Sequence, residues 1–166
     1  MSILTHVDQS GAANMVDVTD KSESTRIALA EGFITMSAAT LDAVINHTNN
    51  KGDVITTAKI AGIQAAKKCS DLIPLCHPLA LSKVSVDFEI QAQKSRIRVL
   101  AKCKLSGKTG VEMEALTAVS VATLTLFDMC KAGDPEMLIH GIRVLEKQGG
   151  KTGDWQNSQV RVNHDD

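Results

Sequence analysis

The stretch K-T-G-V-E-M-E-A-L-T-A-V-S-V-A-T-L-T-L-F-D-M-C-K, residues 108–131, decides how the rest of the chain is read. Thr109 and Glu112 stand in the spacing of a capping box, where a hydroxyl and a carboxylate satisfy free N–H groups at a helix start. The spacing predicts a helix beginning near Gly110. From Ala115 to Phe127 no residue is charged. A helix that is small or apolar on every side is buried, in a core or against another subunit. Charge collects at its ends instead, Glu112 and Glu114 at one and Asp128 and Lys131 at the other. Charges near buried surface are costly unless they are paired or used, so function is to be sought at those ends.

Upstream of the helix, L-S-K-V-S-V-D-F-E-I (81–90) and R-I-R-V-L-A-K-C-K-L (96–105) both alternate apolar with polar residues. The polar turn between them makes the pair a hairpin. Asp53 is placed to cap a helix from Val54 to about Lys68. That helix is rich in small residues, Ala58, Ala61, Gly62, Ala65 and Ala66 among them, which permit close packing. Pro74 and Pro78 exclude helix and stiffen a loop around Leu75, Cys76 and His77. Thr25 to Met36 reads as a strand, and Ser37 as the cap of a helix through Leu41 and Val44. Met137 to Glu146 forms a last strand. The order predicts an α+β fold of ferredoxin-like β-α-β-β-α-β plan, an antiparallel sheet with helices on one face. Residues 1–14 are expected to be a loose arm, 15–148 a single domain, and 149–166 a loose glycine-rich, then polar tail.

Composition narrows the function classes. A chain of 166 residues suits one domain with a real core. The formal net charge of −1 gives no field for nucleic acid or membrane. Three Phe, one Trp and no Tyr leave few stacking platforms for single strands. No unbroken apolar run of about 18 residues and no export signal is visible, so a cytoplasmic location is expected. Cysteines 69, 76, 103 and 130 include no C-x-x-C pair, so neither disulfides nor a metal site is expected. A metal module built from Cys76, His77 and Cys130 stays as an alternative.

G-K-T-G occurs twice, at 107–110 and 150–153. A phosphate-binding P-loop needs a glycine five positions before the first glycine of each, and those positions hold Lys102 and Leu145. Either copy can still present backbone N–H groups to an anion. Glu114 and Asp128 are fourteen positions apart, which is about 21 Å along a helix axis. One small reacting centre cannot touch both in a single chain. A site using both is extended, or is assembled from two subunits. Asp128 and Lys131 share a helical face, as an exposed ion pair or as catalytic groups. Glu112 reads as the capping partner, whereas Glu114 has no such role. His77 in its stiff loop can act as acid, base or phosphate donor, or simply be a loop histidine. Lys51, in a turn before a helix start, and Lys147, before the glycines, are solvated side chains or anion contacts.

M-V-D-V (15–18), K-G-D-V (51–54), A-G-I-Q-A-A-K (61–67), D-L-I-P-L-C-H-P-L (71–79), L-S-K-V (81–84), L-S-G-K-T-G-V-E-M-E-A-L-T-A (105–118) and D-M-C-K (128–131) follow one another in chain order. Together they resemble the MoaC family, cyclic pyranopterin monophosphate synthases of molybdenum cofactor biosynthesis. The resemblance implies a lyase that takes a 3′,8-cyclised dihydro-GTP, supplied by a radical SAM enzyme. It also implies cyclic pyranopterin monophosphate and pyrophosphate as products. It implies a homohexamer, a trimer of dimers, with sites at subunit interfaces. No cofactor is implied beyond a divalent ion such as Mg²⁺ with the phosphates. By position, Asp128 and Lys131 would be catalytic with Lys51 beside them. Leu75, Cys76, His77, Glu112, Met113 and Glu114 would line the substrate pocket, with Arg26 and Lys147 as phosphate contacts. Phe127 stands where relatives commonly have Tyr, and Q-G-G-K-T-G (148–153) where they often have S-G-G-K-S-G. The rival expectation is a non-catalytic scaffold subunit that holds the nucleotide intermediate for a partner enzyme.

Overall fold

The computed structural model describes residues 6–8 and 10–160; the remainder of the expected arm and tail lies outside the described residues. The strand expected at Thr25 forms as β1 (Ser24–Thr35). It alternates because Ala28, Ala30, Gly32 and Ile34 face the helices while Glu31 and Phe33 face away. Ser37 caps α1 (Ala38–Ile45) by accepting from the Thr40 N–H, and Asp53 caps α2 (Val54–Lys67) by accepting from the Thr56 N–H. A short helix, α3 (Cys69–Leu72), precedes the proline loop. The hairpin is β2 (Lys83–Gln91) and β3 (Arg96–Gly107), joined by a 3₁₀ turn in which Ser95 takes a left-handed φ of 45°. α4 (Glu112–Cys130) and β4 (Leu138–Gln148) follow.

Strand order is β2-β3-β1-β4 with a short fifth strand beyond β4, every pair antiparallel. The fold is therefore α+β and ferredoxin-like, with β1 central between β3 and β4. β1 and β3 pair without a register break from Ser24–Gly107 to Thr35–Arg96. β4 pairs with β1 through two irregularities, at Leu29/Ala30 and Glu31/Phe33. The fifth strand, β5 (Trp155–Gln156), comes from the tail expected to be loose, and pairs with Glu146 and Lys147 of β4. Short segments with two residues of pairing carry no periodicity, which is why sequence reading passed over it.

The core lies between the sheet and the layer of α2 and α4. Ala115, Ala118, Val119, Ala122 and Leu126 of α4 are all fully buried there. Gly62 lets α2 approach α4: a Cβ at that position would lie 3.0 Å from the Ala118 carbonyl oxygen and 3.2 Å from Ala122 Cβ. By length and composition α4 could cross a membrane, but it is seated on β1, β3 and β4 with α2 beside it, as a core helix is. Its outer face is not fully covered, since Leu124 is 57% exposed.

The outer face of the sheet holds a charge cluster. Glu31, only 1% exposed, accepts at Oε2 from Arg98 Nε at 2.7 Å and at Oε1 from Arg143 Nε at 2.8 Å. Both carboxylate oxygens are thus satisfied. Beside it the Arg96 guanidinium sits 4.2 Å from the centre of the Phe33 ring, whose other neighbour is the stacked His140 imidazole.

Candidate active site

The two ends of α4 carry different constellations. At the C-terminal end, Lys131 Nζ lies 2.7 Å from Asp128 Oδ1. The turn before α2 brings Lys51 to the same place, its Nζ 3.5 Å from Asp128 Oδ2 and donating to the Asp128 carbonyl oxygen at 2.8 Å. The two lysines expected beside Asp128 therefore both meet its carboxylate. All three side chains are about half exposed. The hydrogen bond and charge of Lys131, then the charge of Lys51, hold Asp128 below the ordinary aspartate range. Asp128 is an ionised hub flanked by two amines that can exchange protons with a bound molecule.

At the N-terminal end lies a cleft of about 820 Å³, within the range of small-molecule sites. Leu75, Cys76 and His77 of the proline loop and Glu112, Met113 and Glu114 of α4 line it, together with Arg26 of β1. Lys147 joins indirectly, its Nζ 3.2 Å from Glu112 Oε1. That pair corrects the capping box. α4 begins at Glu112 with Val111 as cap and no side-chain capping bond, and Thr109 Oγ1 is buried without a partner among the described residues. The helix starts two residues later than a Thr109 cap requires, and Glu112 pairs instead with a lysine from β4, a long-range contact that spacing cannot foresee. Glu114, 4% exposed, has its pKa raised by burial and, less, by the charge of Glu112. It is held toward the protonated form, a carboxyl that can donate a hydrogen bond.

His77 donates from Nε2 to the Val16 carbonyl oxygen at 2.7 Å, leaving Nδ1 for other partners. Lys108 Nζ donates to the Thr19 carbonyl oxygen at 2.7 Å. These two side chains hold residues 16–22 along the cleft, which brings Asp20 and Lys21 to its wall. Arg26 donates to the carbonyl oxygens of Gly107 and Lys108 at 3.3 and 3.2 Å. Opposite, Gly149 and Gly150 take φ of 91° and 90°, and a Cβ on Gly150 would collide with the Arg26 guanidinium. Both G-K-T-G segments thus converge on one cleft, Lys108 and Lys151 included. Sequence reading cleared both of P-loop character but did not pick Lys21 or Lys108. The repeated tetrapeptide was the available signal for Lys108; nothing local marks Lys21.

Cysteine chemistry is muted. Burial pushes the Cys69 thiol up to about 11 and the Cys103 thiol up to about 12. Cys76 is raised by burial and by Glu114, and Cys130 by burial. The metal module of Cys76, His77 and Cys130 is not assembled. Cys76 neighbours Cys69 at the start of α4, while Cys130 accepts from Asn49 Nδ2 at its end.

Comparison with known protein families matches residues 15–150 to the MoaC family. The chain belongs to the MoaC family. It is therefore a member of a family of molybdenum cofactor biosynthesis. Among solved structures, the ferredoxin protease FusC in complex with Arabidopsis ferredoxin is similar at 15% identity and a TM-score of 0.33. That similarity covers 63% of the MoaC-family chain and 10% of the other, and at that score it carries no argument about either fold or function.

Proposed function

We propose that this MoaC-family chain is a lyase that converts 3′,8-cyclo-7,8-dihydroguanosine 5′-triphosphate to cyclic pyranopterin monophosphate and pyrophosphate. The observation that carries the proposal is the division of labour along α4. One end groups Lys51, Asp128 and Lys131, and the other opens a cleft whose wall includes Lys21, Arg26, Lys108 and Lys151. Opening a purine ring and closing a pterin needs repeated proton transfers, which two amines on a carboxylate supply. Forming a cyclic phosphate while pyrophosphate departs needs cations around the phosphates. The hydroxyls of Ser24 and Thr109, buried at the cleft without partners among the described residues, are donors that phosphate oxygens would satisfy. Glu114 and His77 would hold the base.

The two ends lie about 21 Å apart by helix rise, too far for one reacting centre. The proposed working form is a homohexamer, a trimer of dimers, in which the cluster of one subunit completes the cleft of its neighbour. The substrate would come from a radical SAM enzyme, and the location would be cytoplasmic. No resident cofactor is proposed; a divalent ion such as Mg²⁺ would arrive on the triphosphate.

The test is incubation of purified protein with the cyclised triphosphate and assay of pyrophosphate and the pterin product. Turnover is expected, with loss in Asp128→Ala and Lys131→Ala. Binding without pyrophosphate release would instead support a scaffold. Full activity in both variants, or in a monomer shown by light scattering, would overturn the assignment.

A further inference from the structure

The end of α4 leaves carbonyl oxygens that need donors from outside the helix. No basic residue of its own last turn supplies them. The turn before α2 does. Lys51 Nζ reaches the Asp128 carbonyl oxygen at 2.8 Å, and Asn49 Nδ2 reaches the Met129 carbonyl oxygen at 3.3 Å and Cys130 Sγ at 3.5 Å. The other end of the same carboxamide, Oδ1, accepts from the Lys51 backbone N–H at 2.9 Å. One side chain therefore grips the helix end with its donor and the backbone of Lys51 with its acceptor. Gly52, at φ 91°, closes the turn by donating to the Asn49 carbonyl oxygen at 3.1 Å.

We infer that Asn49 is a positioning residue that sets Lys51 on Asp128, an inference that rests on the proposed role of that cluster. Lys51 has four rotatable side-chain bonds and is 44% exposed on its side chain, so its amine has many solvated alternatives. Its backbone must be fixed relative to α4 for the amine to find Asp128 repeatedly. The Asn49 amide is the contact that fixes it. A carboxylate in the same place keeps the acceptor for the Lys51 N–H but loses the donor, and sets a negative charge against the negative end of the helix.

The experiment compares Asn49→Asp, Asn49→Ala and Lys51→Ala with the wild-type chain in two readouts. With the cyclised triphosphate, both Asn49 variants are expected to lose roughly tenfold or more in kcat, a displacement effect, with KM little changed. Independently of any substrate, trace acetylation with acetic anhydride followed by peptide mass spectrometry should show Lys51 labelled faster in both variants, relative to Lys59. A purely structural role would leave the Lys51 to Lys59 ratio unchanged. Asn49→Asp with wild-type kcat and wild-type labelling, while Lys51→Ala is impaired, would overturn the positioning role and leave the proposed function standing. Lys51→Ala with wild-type kcat would overturn the function of the cluster, and the labelling ratio would still report whether Asn49 positions the amine.

Discussion

Removing the Glu31 charge or the Arg98 side chain breaks the ion pair between them, but the two substitutions should differ in cost. Glu31 is the buried member, at 1% exposure, while the side chains of Arg98 and Arg143 are 22% and 39% exposed. Arg98→Ala strips two contacts of 2.7 Å, from Nε and Nη2, off Oε2 and leaves a buried carboxylate with Arg143 alone. Removing one partner of a buried pair costs about 3–5 kcal/mol. The lower end applies here, because truncating Arg98 also admits water, and the lost Arg98–Glu89 contact at 3.1 Å is a surface pair worth at most about 1 kcal/mol. Glu31→Gln keeps the shape and leaves two guanidiniums that can turn to solvent, so about 1–2 kcal/mol is expected. Urea unfolding at one fixed protein concentration measures both variants. For a chain of this size about 3 kcal/mol is a fall of roughly 6–12 °C in Tm. A Glu31→Gln variant that loses as much as or more than Arg98→Ala, at unchanged m-value, would refute the reasoning.

Other expectations follow from the site and the core. Glu114 has a folded pKa raised by burial, so its contribution to stability is whole below the ordinary glutamate value of about 4.3 and is lost as pH rises through the raised value. Glu114→Gln should therefore gain Tm on wild type at about pH 8 and match it at about pH 4; an equal difference at both would exclude ionisation as the cause. With four free thiols, three of them buried, a disulfide reagent should reach Cys76 first in the folded chain, and a guanine nucleotide triphosphate should slow that reaction. Modification of all four at one rate would contradict the burial. Gly62→Val should cost about 1–3 kcal/mol by overpacking, since the 3.0 Å approach to the Ala118 carbonyl leaves no room for a branched side chain. An unchanged urea midpoint would show that α2 shifts freely.

Much of the fold was legible because its signals are local. Ser37 and Asp53 cap where their spacing says, the hairpin follows from alternation on both sides of a polar turn, and α4 is marked by its uncharged middle. The failures are contacts between distant segments, or segments too short to carry a periodicity. Glu112 turns to Lys147 across thirty-five positions, Trp155 joins β4, and residues 16–22 reach the cleft through His77 and Lys108. Sequence spacing put Asp128 and Lys131 on one helical face and the resemblance set Lys51 beside them, but only the fold adds the carboxamide of Asn49. The cleft residues of the proline loop and the α4 start were legible as clusters, whereas their cation complement was scattered among Lys21, Lys108 and Lys151.

α4 runs nineteen residues without a break, and that rigidity has a genetic consequence. If its two ends serve different sites, a defect at one end of a chain leaves the other end sound. Two inactive variants, Lys51→Ala and His77→Ala, should then complement each other when unfolded together and refolded as a mixture. With random pairing of equal amounts, about a quarter of interface sites would draw an intact cluster from one chain and an intact cleft from another. Alleles of this gene that are each null would restore function in combination when their lesions lie at opposite ends of the helix, and fail to when they lie at the same end.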